Sequence, residues 1–179
     1  FARLSPGVRV VLHTHIPPLM LQALLTQQVE LGVTYMPIPH PSLAMQPLYE
    51  NRIVAALPQH HRLAGREQIS GGDLQGERFI GYGSEIPFAQ LVHRIFGNEE
   101  NQPVLRVEVQ QAHVACAMVQ AGVGVALVDE LTIRGPSWSN VVAIPVAPMV
   151  HAPIHAFNLA LQPMSRLAQE FVRVLKAFE

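Results

Sequence analysis

The stretch FIGYGSEIPFAQLVHRIFGNEENQPVLRVEVQQAHVACAMVQAGVGVALV, Phe79 to Val128, decides the fold. Phe79–Tyr82 is a short apolar run bounded by Gly83-Ser84, which reads as a strand. Pro87 suits the first turn of a helix, where its missing N–H costs nothing. Phe88, Leu91, Val92 and Ile95 then fall on one helical face. Val104–Val109 is rich in β-branched residues and reads as a second strand. Ala112–Ala121 predicts a helix with Ala115, Met118 and Val119 on one side, and Gly122 is a natural stop. Val125–Val128 is a third strand. The order β-α-β-α-β makes this segment a doubly wound α/β lobe.

Working outward, Val8–His13 is β-branched, follows the turn formers Pro6-Gly7, and predicts a strand. Pro17-Pro18 stop it. Leu21, Leu24, Leu25 and Val29 then recur at helical spacing to about Glu30. Leu31–Met36 predicts a further strand, completing a βαβ unit with a parallel pair. Leu43–Tyr49 and Asn51–Leu57 are two more extended runs. Asp73, after Gly71-Gly72, is placed to cap a short helical turn. Beyond Val128, Val141–Val146 and His155–Gln162 predict strands. Met164, Leu167, Ala168, Phe171, Leu175 and Phe178 form one apolar stripe behind Ser165, a candidate N-cap. The chain thus makes one lobe from Phe1 to Leu57 that resumes from Pro153 to Glu179, with a second lobe over residues 58–152. Two lobes joined by two crossovers create a cleft, the place where small ligands collect.

Composition narrows the chemistry. The 179 residues are 49% hydrophobic and 14% charged, which excludes a disordered tail. Twelve Lys+Arg against thirteen Asp+Glu leave a net charge of -1, and Lys176 is the sole lysine. The arginines are scattered from Arg3 to Arg173, without the one-sided cluster that grips phosphate. A single cysteine, Cys116, excludes an internal disulfide framework. No apolar stretch reaches the length that crosses a bilayer, so no membrane partner is expected.

Catalytic and metal readings find little support. The nine histidines match no zinc spacing, so no metal is expected. Cys116 lies three residues from His113 but amid apolar neighbours, as an inert core cysteine does. Gly122-Val123-Gly124 follows a helix and precedes a strand, the reverse of a dinucleotide loop. Asp129-Glu130 and Glu99-Glu100 sit at element edges. No nucleophile, base and orienting partner come together, so neither an enzyme nor a cofactor is expected.

The ordered set of motifs resembles the effector-binding domain of LysR-type transcriptional regulators. Pro58-Gln59-His60-His61-Arg62-Leu63-Ala64 and Ile69-Ser70-Gly71-Gly72-Asp73-Leu74 look like the family's P-x-x-H-P-L-A and I-x-x-x-D-L runs. Phe79-Ile80, Val107-Glu108-Val109 and Val119–Val128 follow in the family's order. Arg62 and Asp129 stand where the family usually has proline. The resemblance implies a fold like a type 2 periplasmic binding protein, with two Rossmann-like lobes and a small effector in the cleft. It also implies that a strand and helix of the first lobe, and a winged helix-turn-helix, precede Phe1. DNA would be met only through that absent domain, in the cytoplasm. Side-by-side homodimers would form, tetramers in the full-length protein, with the Leu19–Val29 helix and Val8–His13 strand against the partner's Phe88–Phe96 region. A periplasmic solute-binding protein of the same fold is the alternative.

In α/β lobes ligands collect beyond the carboxyl ends of parallel strands. Three loops meet that description here. Thr14, His15, Ile16 and Pro17 follow Val8–His13. Gly83 and Ser84 follow Phe79–Tyr82, ahead of Phe88. Gln110 and Gln111 follow Val104–Val109. Each leads into a helix N-terminus, whose N–H groups favour an anion. The expectation is a carboxylate-bearing effector held by amides, Thr14, Ser84 and the glutamines, with Ile16 and Phe88 as apolar walls and His15 as a further source of positive charge.

Overall fold

A computed structural model describes residues 1–35, 39–97, 102–134 and 138–177. Two compact units emerge. Phe1–Tyr49 and Pro153–Glu179 form unit 1, and Glu50–Ala152 forms unit 2.

Unit 2 is built on strands β3 (Ile53–Pro58), β4 (Ile69–Ser70), β5 (Phe79–Tyr82), β6 (Leu105–Val109), β7 (Val125–Asp129) and β8 (Val141–Ala147). They lie side by side in the order β4-β8-β3-β7-β5-β6. β5 runs parallel to both β6 and β7, while β3 is antiparallel to β7 and β8. β3 and β7 are buried along nearly their whole length. This explains their continuous apolar runs, since a strand covered on both faces has no alternation to show. Helices α2 (Pro87–Phe96) and α3 (Ala112–Gln120) follow β5 and β6. α2 buries Phe88, Leu91, Val92 and Ile95, the face its periodicity predicts. α3 buries Ala115, Cys116 and Val119 and ends where Gly122 takes φ +75°. The short helix α4 (Glu130–Ile133) is capped by Asp129, whose carboxylate accepts from the Thr132 N–H.

Two expectations shift within unit 2. The boundary at Leu57 falls inside β3, which hydrogen-bonds to β7 on one side and β8 on the other, so unit 1 ends at Tyr49. The turn at Gly71–Leu74 is a 3₁₀ helix, but its N-cap is Ser70. Asp73 sits at the third helical position and reaches back to the Ser70 N–H and hydroxyl, both at 2.7 Å.

Unit 1 holds β1 (Gly32–Tyr35), β2 (Leu43–Tyr49) and β9 (Ile154–Leu159) in the order β1-β9-β2, all antiparallel. Helix α1 (Pro17–Leu25) packs Met20 and Leu24 onto Phe157. Helix α5 (Arg166–Lys176) lies against β2, with Ser165 as its N-cap accepting from the Ala168 N–H. Leu167 is exposed although it belongs to the predicted stripe; Ala168 and Val172 are the buried pair. Phe178 and Glu179 lie outside the described residues, as do Met36, Asn98 to Asn101 and the segment Gly135 to Ser137.

The predicted Val8–His13 strand is absent. The segment is extended but carries no ladder, with Val11 59% and Leu12 85% exposed. β-propensity reports fit to a pleated, half-buried surface. Among the described residues no strand pairs with this one, so the parallel βαβ expectation fails with it. α1 also stops short of Glu30. Gln27 adopts φ +57°, and the Gln28 N–H turns back to the Ala23 carbonyl at 2.9 Å, ending the helix before Val29.

Candidate ligand-binding site

β5 and β6 end together, with Tyr82 opposite Val109. Parallel pairing therefore brings Gly83 and Ser84 beside Gln110 and Gln111 at one end of the unit 2 sheet. The structure assembles four of the predicted site residues at this point. Phe88 is different. It is 6% exposed and its ring meets Tyr82 edge to face at 5.0 Å, so it braces the end of β5 from within the core rather than walling a site.

The turn after β5 is closed by the Ile86 N–H donating to the Gly83 carbonyl at 2.9 Å. The N-cap of α2 is Ile86, so Ser84 is not a helix cap and its hydroxyl is exposed. Gly83 itself is buried between carboxylates. A Cβ built there meets the Glu85 oxygens at 2.4 and 2.6 Å and Glu108 Oε1 at 2.8 Å. Among the described residues neither Glu85 nor Glu108 has an ion-pair partner within 4.0 Å.

The three helix N-termini are not equivalent. α1 opens with Pro17 and Pro18, which have no N–H, so its first turn offers one amide, that of Leu19. α2 likewise opens with Pro87. α3 opens with Ala112 and His113 behind Gln111, whose side chain makes no cap bond. The Gln111 carbonyl accepts from the Val114 and Ala115 N–H groups at 3.1 and 3.2 Å. The Ala112 and His113 N–H groups point out of the helix start, as the first amides of any helix do. α3 is therefore the one terminus of the three with several donors to give an anion.

In unit 1, Thr14 and His15 are exposed, Ile16 is the extended N-cap of α1 and Pro17 its first residue. His13 and His15 project to the same side, their rings stacked at 5.7 Å. The described residues contain no cluster of three or more His, Cys, Asp or Glu side chains able to hold a metal ion. Cys116 is fully buried and His113 exposed, so the pair does not form a nucleophile and base. Burial, with the Asp129 charge added, pushes the Cys116 thiol up to about 12.

Sequence reading missed Glu85 and Glu108. The signal was present: Glu85 follows Ser84 directly, and Glu108 lies on β6 opposite Gly81, one register position before the strand ends. A carboxylate at an exposed position usually reads as solvated charge, and only the pairing of β5 with β6 brings these two to the same glycine.

These features define a two-unit α/β domain with a cluster of polar groups at the carboxyl ends of parallel strands in unit 2. Residues 1–178 match the sequence pattern of the LysR substrate binding domain. The chain belongs to that family. It is 29% identical over 178 residues to the transcriptional activator protein LysR of Escherichia coli K12, an alignment covering 96% of this chain and 55% of the relative. The chain thus spans about half the length of the curated relatives it matches. Among solved structures, the CcmR regulatory domain of Synechocystis PCC6803 in complex with 2-PG superposes with TM-score 0.80 at 20% identity, over 98% of this chain and 86% of that one. The BenM effector binding domain with its effector benzoate superposes with TM-score 0.75 at 22% identity, over 99% and 82%. These neighbours carry the type 2 periplasmic-binding-protein-like fold. No helix among the described residues is long and apolar enough to cross a membrane.

Proposed function

We propose that this domain senses a small effector bearing both a carboxylate and a cationic nitrogen, and that a longer LysR-type regulator reads its occupancy. The observation that carries this reading is Gly83, flanked by the unpaired carboxylates of Glu85 and Glu108 next to Ser84 and the uncapped start of α3. A lone carboxylate would be repelled by two glutamates. An amino-acid-like molecule satisfies both halves: its ammonium sits by Glu85 and Glu108, and its carboxylate takes the Ala112 and His113 amides, the Ser84 hydroxyl and the Gln110 and Gln111 side chains. With no side chain at Gly83, the Glu85 and Glu108 carboxylates lie close enough together to share one ammonium. Thr14, His15, Ile16 and Pro17, which follow the extended Val8–His13 segment of unit 1, are proposed as further ligand contacts. The benzoate of the BenM domain supports a carboxylate-bearing effector in general.

In this reading the effector biases two states of the domain by its differential affinity for them, and the bias passes through a homodimer or tetramer to an attached DNA-binding segment in the cytoplasm. Membership of the LysR family favours this over a periplasmic solute-binding protein. No chemistry on the ligand is invoked.

Calorimetry with a panel of amino acids, amines and small organic acids tests the reading. A binder carrying both charges is expected, weakened about tenfold or more by Glu108→Gln and by Ser84→Ala. Gly83→Ala should abolish binding while the domain stays folded, because the groups its Cβ meets are flexible carboxylate ends. Thr14→Val tests the unit 1 contacts separately. Binding of simple monocarboxylates that Glu108→Gln strengthens would overturn the cationic half. Equal binding by parent and all unit 2 variants would overturn the site.

A further inference from the structure

At the other end of the same strands lies a cavity of about 570 Å³, lined by Gly76, Glu77, Arg78, Val104, Arg106 and Val123. These residues precede or begin β5, β6 and β7, so the cavity sits at the amino ends of three strands, away from Ser84 and Gln111. Two features distinguish it from ordinary surface.

The first is the placement of Arg106. Phe79 pairs with Leu105 and Ile80 with Val107, so Arg106 is an extra residue opposite no partner, a bulge between parallel strands. Such bulges are rare in parallel pairs and re-aim a side chain. The second is the fixing of Arg78. Its carbonyl accepts from the Val125 N–H at 2.9 Å, and Gly124 packs so closely that a Cβ there would lie 2.2 Å from the Arg78 oxygen. Both guanidinium groups therefore extend from held backbone.

Both arginines are exposed. Among the described residues neither has a carboxylate within 4.0 Å. Glu77 lines the cavity, but its carboxylate is occupied by His61 at 3.2 Å and Arg62 at 2.8 Å. The carbonyls at the end of α3, Met118 and Val119, are taken by the Val123 and Gly122 N–H groups at 3.1 and 2.9 Å. Among the described residues lining the cavity, no carboxylate is left to compete for the two cations. Val104 and Val123 add apolar lining, and Gly76, at φ +81° with nothing near its missing side chain, leaves the wall open.

We propose that Arg78 and Arg106 form a second ligand site, for a phosphate-bearing small molecule. One guanidinium fork suffices for a carboxylate, whereas two forks around one opening match a dianion with three terminal oxygens. This site shares no residue with the effector site proposed above, so the two stand or fall separately.

The test is titration of the 179-residue chain with inorganic pyrophosphate and inorganic phosphate at constant ionic strength, followed by calorimetry and by backbone amide NMR. Saturable binding is expected, with shifts at Gly76, Arg78, Arg106 and Val123 and none at Ser84 or Gln111. Arg78→Gln and Arg106→Gln should each weaken pyrophosphate about tenfold or more, and Ser84→Ala should leave it unchanged. Unchanged melting temperatures in the two exposed arginine variants exclude unfolding as the cause. Absence of saturable binding, diffuse shifts over the whole surface, or binding that survives both substitutions would overturn the proposal.

Discussion

The Asn51 side-chain amide donates to the buried Asp129 carboxylate at 3.3 Å, joining positions 78 residues apart at the ends of β3 and β7. Asp129 is fully buried and also accepts from the Thr132 N–H at 2.9 Å and the Thr132 hydroxyl at 2.5 Å. A carboxylate out of water is tolerated only with such partners. Replacing Asp129 by Ala removes the α4 cap and strands the Asn51 amide. The expected loss is about 3 kcal/mol, read as a fall in the urea midpoint without a change in slope.

Next to this pair, Arg52 grips Glu130 with two bonds of 3.0 Å, and Arg134 adds a third contact at 3.3 Å. The Arg52 hydrogen bonds hold the Glu130 carboxyl below the usual range, against a smaller opposing effect of burial. A carboxyl whose folded pKa is depressed contributes stability above its unfolded pKa and loses it as pH falls through the folded value. Glu130→Gln should therefore cost about 1 kcal/mol near pH 7, with the partial exposure of Arg52 limiting the figure, and should narrow its gap to the parent under acid. Melting curves from pH 7 to about pH 3 check both.

The Cys116 thiol, pushed up to about 12 by burial, should not react with an aromatic disulfide reagent at pH 8 until the chain is unfolded in urea. The linkage has the opposite sense to that of Glu130. The folded state holds this proton more tightly, so its contribution is complete below the unfolded pKa near 9.0 and is lost as pH rises toward 12. Cys116→Ala should flatten the alkaline limb of the stability profile. Rapid labelling of the native protein would refute the burial argument.

Gly124→Ala tests the close approach that positions Arg78. The obstruction is backbone, the Arg78 carbonyl at 2.2 Å, and backbone yields little. A loss of about 2–3 kcal/mol is expected, a drop of roughly 5–10 °C in melting temperature. Gly76→Ala has open space, and any cost there comes from its positive φ, about 1 kcal/mol. Equal effects at the two positions would contradict the packing account.

Local pattern was enough to read β5, α2, α3 and β7, because each carries its own signal. Phe79–Tyr82 is a bounded apolar run, Pro87 opens α2, Gly122 closes α3, and Ser165 caps α5. Such signals depend on neighbours within a few residues, which a sequence displays directly. The family resemblance rests on the same property, an ordered set of short motifs. Val8–His13 has an equally strong strand composition and forms none, because a ladder needs a partner edge and composition does not say whether one exists. The sequence places the Asn51–Leu57 run in the first lobe for the same reason; its true place in unit 2 follows from β7 and β8, more than 60 residues further along the chain. The site divides in the same way. Ser84 and the glutamines were legible as residues at strand ends. That Glu85 and Glu108 converge on Gly83 and that Arg78 and Arg106 share one opening were decided by the pairing of β5 with β6, whereas the core position of Phe88 follows from the periodicity of α2. Charge at a point in space is a sum over distant positions, and only the folded chain performs it.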